Sequence, residues 1–264
     1  MISWLVTKFK RPLLVAACVA IAAAALDYAI ANGTHAVPPP PDLQHHGSAP
    51  EYSYSDSHPI YWQSIYWPLV REYLSDLPAG ASLIDLGCGN GSNIATLRGK
   101  GWKLTGVDFS KSGIEIARKT WPDVRFEVAD VSEDLSALGH GSYDAVVSTE
   151  VIEHIFLPRK FTANCMRRLK PGGLLIVTTP YNGYLKNVGV SLAGWSDRFW
   201  NPLWDYGHIK FWSVDTLSRL LYEAGFERVE WRGAGDVPHF WTNMVFRARA
   251  PLAGAEKTGN KILD

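Results

Sequence analysis

The sequence predicts a doubly wound α/β domain, with a seven-stranded, mostly parallel sheet that ends in a C-terminal antiparallel hairpin. Three observations carry this. First, the short apolar run Leu83, Ile84, Leu86 reads as a buried strand, and Gly87, Gly89 and Gly91 follow at alternate positions. Ile94, Ala95 and Leu97 then begin a helix, with Ser92 or Asn93 as its N-cap. Strand, glycine turn and helix together form the nucleotide-binding corner of such sheets. Second, apolar strands at Leu83–Leu86, Lys103–Val107, Val124–Val128, Tyr143–Ser148 and Leu174–Thr178 alternate with helical stretches near 93–99, 111–119, 159–169 and 214–224. Third, Phe226–Gly233 and Phe240–Arg247 have no helix between them and read as an antiparallel pair at the sheet edge.

The remaining elements follow in chain order. Residues 1–31 carry Lys8, Lys10 and Arg11, then an apolar, alanine-rich run from Pro12 to Leu26 and a small-residue site at Ala29-Ile30-Ala31. This layout fits a signal peptide or a mildly hydrophobic anchor helix. Export, a surface-lying helix and a start codon assigned too early all stay open. Residues 32–57 form a linker with a polyproline run, Pro38 to Pro41, and a solvated His45-His46 pair. Pro59 to Leu77 is helical by the spacing of Ile60, Ile65, Tyr66, Leu69, Tyr73 and Leu77. Tyr61, Trp62 and Trp67 on it suit core packing better than a cofactor cover. The main domain spans residues 58–250. Leu169-Lys170-Pro171-Gly172-Gly173 ends a helix and turns into the fifth strand. Residues 180–212 form a long insertion holding Tyr181, Tyr184, Trp195, Trp204, Tyr206 and Trp212 among its aromatics, which suits a lid over an acceptor site. Residues 251–264 read as a frayed tail.

Composition narrows the function classes. Lys+Arg and Asp+Glu balance at 26 each in 264 residues, so no basic excess marks a nucleic-acid-coating protein. Cys18, Cys88 and Cys165 have neither disulfide nor metal spacing, which fits a reducing compartment.

The glycine loop departs from the dinucleotide fingerprint because its third glycine comes one residue early, and no Gly-Lys-Ser/Thr makes it a Walker A loop. Asp85, just before the first glycine, would repel a pyrophosphate and favour a cationic ligand. Asp85-Leu-Gly87-Cys88-Gly89-Asn90-Gly91 resembles motif I, D-x-G-x-G-x-G, of the class I S-adenosylmethionine-dependent methyltransferases, whose fold is Rossmann-like. The resemblance implies S-adenosylmethionine as cofactor, with Asp85, Gly87, Cys88, Gly89, Asn90 and Gly91 lining its site.

The acids at later strand ends extend this reading. Asp108 closes the second strand 17 residues after Gly91, near the spacing at which an acid binds ribose hydroxyls, and Gly-Val-Asp108-Phe109-Ser resembles the family's second motif. Asp130 and Val131 follow the third strand, and the resemblance implies adenine contacts there. Thr149-Glu150-Val151-Ile152-Glu153-His154 follows the fourth strand, at the carboxyl edge where such sheets hold ligands. On a helical turn Glu150, Glu153 and His154 would share one face, as a proton acceptor or as metal ligands. His154 and Glu150 are therefore the candidate catalytic groups.

Glu-Val-Ile-Glu-His followed by Leu-Lys-Pro-Gly-Gly resembles the ubiquinone-biosynthesis O-methyltransferases, over roughly residues 80–230. It also resembles the metal motif of the small-RNA 2′-O-methyltransferases. The latter implies Glu150, Glu153, His154 and His208 around one divalent cation, Mg²⁺ or Mn²⁺. The expected activity is methylation of a small phenolic or quinol-like acceptor. The alternatives are an RNA 2′-O-methyltransferase, which the charge balance disfavours, and a non-catalytic binding or scaffolding module of the same fold. S-adenosylmethionine places the domain in the cytoplasm, with weak membrane association through residues 12–31. No motif specifies an oligomeric state.

Overall fold

The computed structural model describes residues 52–59 and 63–253. The expectations for residues 1–31, for the linker up to residue 51, for Tyr61 and Trp62, and for most of the tail lie outside the described residues. Among the described residues no helix is long and apolar enough to cross a membrane.

Among the described residues the first element is α1 (Gln63–Leu74), followed in alternation by β1 (Ser82–Leu86), α2 (Ser92–Ala95), β2 (Lys103–Asp108), α3 (Lys111–Thr120), β3 (Arg125–Val128), β4 (Tyr143–Thr149), α4 (Pro158–Arg168) and β5 (Leu169–Pro180). The insertion holds α5 (Tyr184–Leu192) and α6 (Ser196–Phe199), and the chain closes with α7 (Val214–Glu223), β6 (Glu227–Ala234) and β7 (Asn243–Arg249). The seven strands lie in the order β3-β2-β1-β4-β5-β7-β6. β7 runs antiparallel to both β5 and β6, and the other neighbours are parallel. The expected hairpin is thus present, with the later strand inserted and β6 at the edge.

Strand side chains alternate between two cores, as they must when both faces of a parallel sheet are covered. Ile84, Leu86, Val146, Leu175 and Val177 face a layer built with Phe161 and Cys165 of α4 and Leu217, Leu220 and Leu221 of α7. Leu83, Ala145, Val147, Leu174 and Ile176 face Tyr66, Trp67 and Val70 of α1, Ile94 of α2 and Ile114 of α3. Trp67 is therefore a core residue, in line with the preference for core packing over a cofactor cover. Ser213 and Thr216 form a capping box that starts α7.

Four expectations need correction. Neither Ser92 nor Asn93 caps α2. Gly91, at φ 78°, takes the cap position without a side-chain bond, and the Asn93 amide is committed to Thr149 Oγ1. α2 stops at Ala95 rather than residue 99: the N–H groups of Thr96, Leu97 and Arg98 bond three residues back, to Asn93, Ile94 and Ala95 O, so the chain goes on as tight turns that end at Gly99, which has positive φ. β5 begins at Leu169, with Lys170–Gly173 as an irregularity within the strand rather than a separate turn before it. Residues 52–57, expected as linker, pack against the domain: Asn90 Nδ2 donates to Asp56 O.

The strand order reverses between β1 and β4, so the carboxyl ends of β1, β2, β4 and β5 surround the switch point where ligands bind in such sheets.

Candidate functional site

The first half of the site is the glycine loop. Gly87 and Cys88 N–H both donate to Val107 O, at 2.8 and 3.0 Å, which ties the loop to β2. Gly87 has φ 86°, and a Cβ there would collide with Cγ2 of Val151. Below the loop, Asp85 is 1% exposed and neither carboxylate oxygen has a hydrogen-bond partner among the described residues. Burial, with the Asp108 charge as the lesser cause, raises its carboxyl to about 8. An unsatisfied buried carboxyl costs free energy in the free protein and is relieved by a cationic ligand.

Asp108 is buried and accepts from Gly89 N–H and Ser110 N–H, each at 2.8 Å. It fixes the loop relative to the end of β2. Phe109 is exposed, with its ring 6.3 Å from that of Tyr206 in the insertion. Asp130 is exposed at the end of β3 and accepts from Ser132 N–H at 2.7 Å. The Val131 side chain is core, so only its backbone can face a ligand. Asn90 is committed to the segment ahead of α1: its amide donates to the carbonyls of Asp56 and His58.

The second half follows β4. Glu150 has φ 56°, left-handed backbone that a non-glycine residue rarely adopts. Its Oε1 accepts from Thr178 Oγ1 and its Oε2 from Asn243 Nδ2, both at 2.7 Å, while burial raises its carboxyl to about 7. Ile152–His154 then forms one 3₁₀ turn. Glu153 is 1% exposed, and its Oε2 accepts from Thr179 Oγ1 at 3.0 Å while Oε1 has no hydrogen-bond partner among the described residues. Burial, and next Glu150, push its carboxyl far above the usual range.

His154 Nδ1 lies 2.7 Å from Tyr206 O and 3.1 Å from Gly207 O. Carbonyls only accept, so this nitrogen carries the proton and Nε2 keeps its lone pair. Burial lowers the His154 pKa, despite the raising effect of those two bonds. The insertion folds back as the metal reading demands. Ile209 and Lys210 N–H both donate to Glu153 O at 2.9 Å, and Trp212 Nε1 donates to Ile152 O. This brings His208 Nε2 to 3.9 Å from Glu153 Oε1, where burial and then His154 depress its pKa to about 4. Glu153, His154 and His208 each offer a ligand atom, all within 4.8 Å of one another. Trp204 packs against both imidazoles.

Glu150, expected as the fourth ligand, stands outside this set, and the sheet explains why. Thr178 and Thr179 are neighbours on β5 and point to opposite faces. Glu150 is bonded by the first and Glu153 by the second, so the expected shared helical face does not form. The strand-borne partners Thr178, Thr179 and Asn243 had no local sequence signal. The Tyr52–His58 segment had only its alternating tyrosines.

Comparison with known proteins agrees with the fold. A family model described as a methyltransferase domain matches residues 63–230. The ubiquinone biosynthesis O-methyltransferase of Thiobacillus denitrificans is 28% identical over 198 residues, 73% of this chain and 82% of that one. Its namesake in Cereibacter sphaeroides is 30% identical, over 66% of this chain and 73% of that one. Among solved structures, a chain of the Haloferax volcanii complex between the Trm112 methyltransferase activator and a methyltransferase superposes with TM-score 0.57 at 20% identity, covering 72% of this chain and 91% of its own. The Haemonchus contortus phosphoethanolamine N-methyltransferase 2 superposes with TM-score 0.56 at 17% identity, covering 70% and 52%. At such identities the structural matches speak for the fold alone.

Proposed function

The chain belongs to the methyltransferase-domain family and is an S-adenosylmethionine-dependent methyltransferase; from that premise we propose that it methylates the hydroxyl of a small phenolic or quinol-like acceptor. The observation that carries this is the convergence of Glu153, His154 and His208 under an aromatic insertion at the carboxyl end of β4. The relatives' printed names support an oxygen acceptor, and Trp204, Tyr206 and Phe109 supply flat apolar walls for a ring.

The residues of the first half fit the cofactor. The glycine loop gives close backbone approach, Asp108 and Phe109 stand at the ribose position, Asp130 and Val131 at the adenine position, and the unpaired Asp85 suits its positive charge. When bound, S-adenosylmethionine supplies a methyl group on a sulfonium, a leaving group that needs no acid. The protein's task is then alignment and removal of the acceptor proton. His154 is the base: its Nδ1 proton is held on Tyr206 O and Gly207 O, and its Nε2 can receive the hydroxyl proton. Glu150, locked to Thr178 and Asn243, shapes the turn that carries the base.

In a second arrangement the same three groups would hold one divalent cation; His154 Nε2 would then be a ligand and not the base, and the cation would lower the pKa of a bound hydroxyl. The unpaired Glu153 Oε1 is the fit for it. Of the two expected metals, Mn²⁺ suits one carboxylate and two imidazoles better than Mg²⁺. An RNA ribose hydroxyl would use the same cluster, but the balanced charge offers no phosphate-binding run.

The test is methyl transfer to a catechol-type acceptor, before and after EDTA treatment, with Mn²⁺ or Mg²⁺ added back. Loss in EDTA and recovery with Mn²⁺ is the expected result, and His208→Ala should abolish the recovery without changing cofactor affinity. Full activity in excess EDTA would sink the cation and leave His154 as a simple base. Transfer only to RNA would sink the phenolic acceptor.

A further inference from the structure

Residues Tyr52–His58 reach the site ahead of α1. They form no helix or strand, yet they are pinned at three points. Tyr54 N–H donates to Ser112 Oγ at 3.2 Å, and the Asn90 amide donates to Asp56 O at 2.9 Å and to His58 O at 3.0 Å. Tyr52 and Tyr54, two residues apart on extended chain, point to one side, with ring centroids 5.3 Å apart.

The Tyr54 ring covers two glycines. A Cβ on Gly89 would collide with its hydroxyl, and one on Gly113 of α3 would lie 2.9 Å from its Cδ2. Gly89 also sits at φ 56°. The middle glycine of the loop thus makes room for a phenol as well as for a turn. Burial first, and then the Asp108 carboxylate, raise the Tyr54 pKa, so the hydroxyl stays protonated and available as a donor. Among the described residues it has no hydrogen-bond partner. A half-buried donor without a partner, beside the ribose acid and over the glycine loop, is placed for an acceptor atom on the cofactor.

We infer that Tyr54 is a further cofactor-binding residue: its hydroxyl, held over Gly89 by the strap Tyr52–His58, donates to an oxygen of bound S-adenosylmethionine. The inference rests on the reading that this chain binds that cofactor. The strap crosses the glycine loop, so a bound cofactor would lie against it. Two oxygens are in question, the methionyl carboxylate and a ribose hydroxyl, and both are reached from this corner of the sheet.

The experiment is calorimetric titration of the full chain with S-adenosylhomocysteine and with methylthioadenosine, which lacks the carboxylate. Tyr54→Phe should bind S-adenosylhomocysteine about 10-fold more weakly, the loss of one hydrogen bond. If the loss is confined to S-adenosylhomocysteine the partner is the carboxylate, and if methylthioadenosine shows it too the partner is the ribose. Hydrogen exchange should slow at the amides of Tyr52–His58 when S-adenosylhomocysteine saturates the wild-type protein. Tyr54→Phe keeps the ring over both glycines, so a folding defect in Tyr54→Ala leaves the comparison intact. Affinity within twofold of wild type in Tyr54→Phe, with strap exchange unchanged by ligand, would overturn the assignment while leaving the cofactor reading in place. No binding to the wild-type protein would overturn both.

Discussion

Replacing Asp85 with Asn tests the electrostatic design of the cofactor site. Asp85 is fully buried, its oxygens are unpaired, and its carboxyl is raised to about 8 from an ordinary 3.8. Each unit is worth about 1.4 kcal/mol. Between those two values the native protein holds a proton at Asp85 that the unfolded chain has released. Stability from this group is therefore complete below about pH 4 and is lost as pH rises, at about 1.4 kcal/mol per unit, until the carboxyl ionises in the native state near pH 8. Asp85→Asn cannot titrate, so from pH 5 to 7.5 the wild-type protein should lose about 3 kcal/mol more than the variant. Contributions from His154 and His208 are common to both proteins and cancel in the difference. Binding should run the other way. A cationic ligand favours the carboxylate, so S-adenosylmethionine should expel close to one proton from the wild-type protein near pH 6.5, and none from the variant. Urea unfolding at several pH values measures the first effect. Titration calorimetry in buffers of different ionisation enthalpy measures the second. Parallel stability curves together with no proton release would show that Asp85 is already ionised in the free protein, and the argument from burial would fail.

Two further outcomes follow from the loop. Asp108→Ala should weaken S-adenosylmethionine binding by ~1.5–3 kcal/mol, the range for hydrogen bonds to a charged group, and unchanged affinity in a folded variant would remove Asp108 from the site. Gly87→Ala should destabilise the fold by about 2 kcal/mol or more, through its left-handed backbone and its collision with Val151. Adding Val151→Ala should recover the collision share only, and strictly additive losses in thermal or urea unfolding would clear Val151 as the obstacle.

The cofactor half was legible because its chemistry is local. Asp85 and Asp108 lie at or next to the ends of β1 and β2, Gly87, Gly89 and Gly91 lie in the turn directly after β1, and apolar runs place those strands to within a residue or two. The insertion was less legible for a physical reason. α5 buries only Val190 and exposes Tyr184, Leu185 and Leu192, so no apolar stripe announces it against a core. The Glu150–His154 segment misled through its spacing. Three polar residues at i, i+3 and i+4 suit a helix, but the left-handed Glu150 breaks the phase before the 3₁₀ turn begins. Tyr54 lay in what composition marks as linker, and its partners stand up to 59 positions away at Gly113.

The two halves of the site also differ in how they are held. Tyr54 apart, the cofactor half lies between Asp85 and Val131, where Val107 O and the Asp108 carboxylate brace the N–H groups of the glycine loop. The acceptor half is assembled from two distant segments, 150–154 and 206–212, joined by N–H groups of Ile209 and Lys210 on a single carbonyl and by the Nδ1 proton of His154. Backbone groups make most of these joins, so the loop can change many side chains and still deliver a residue at position 208. Adjacent threonines on β5 hold Glu150 on one face and Glu153 on the other. One carboxylate is thereby committed to structure, and its neighbour keeps an oxygen for chemistry. On the proposed reading, substitutions in the insertion would retune the acceptor half while the backbone joins persist, and Tyr206, whose ring lies 6.3 Å from that of Phe109, is where they would reach the cofactor half.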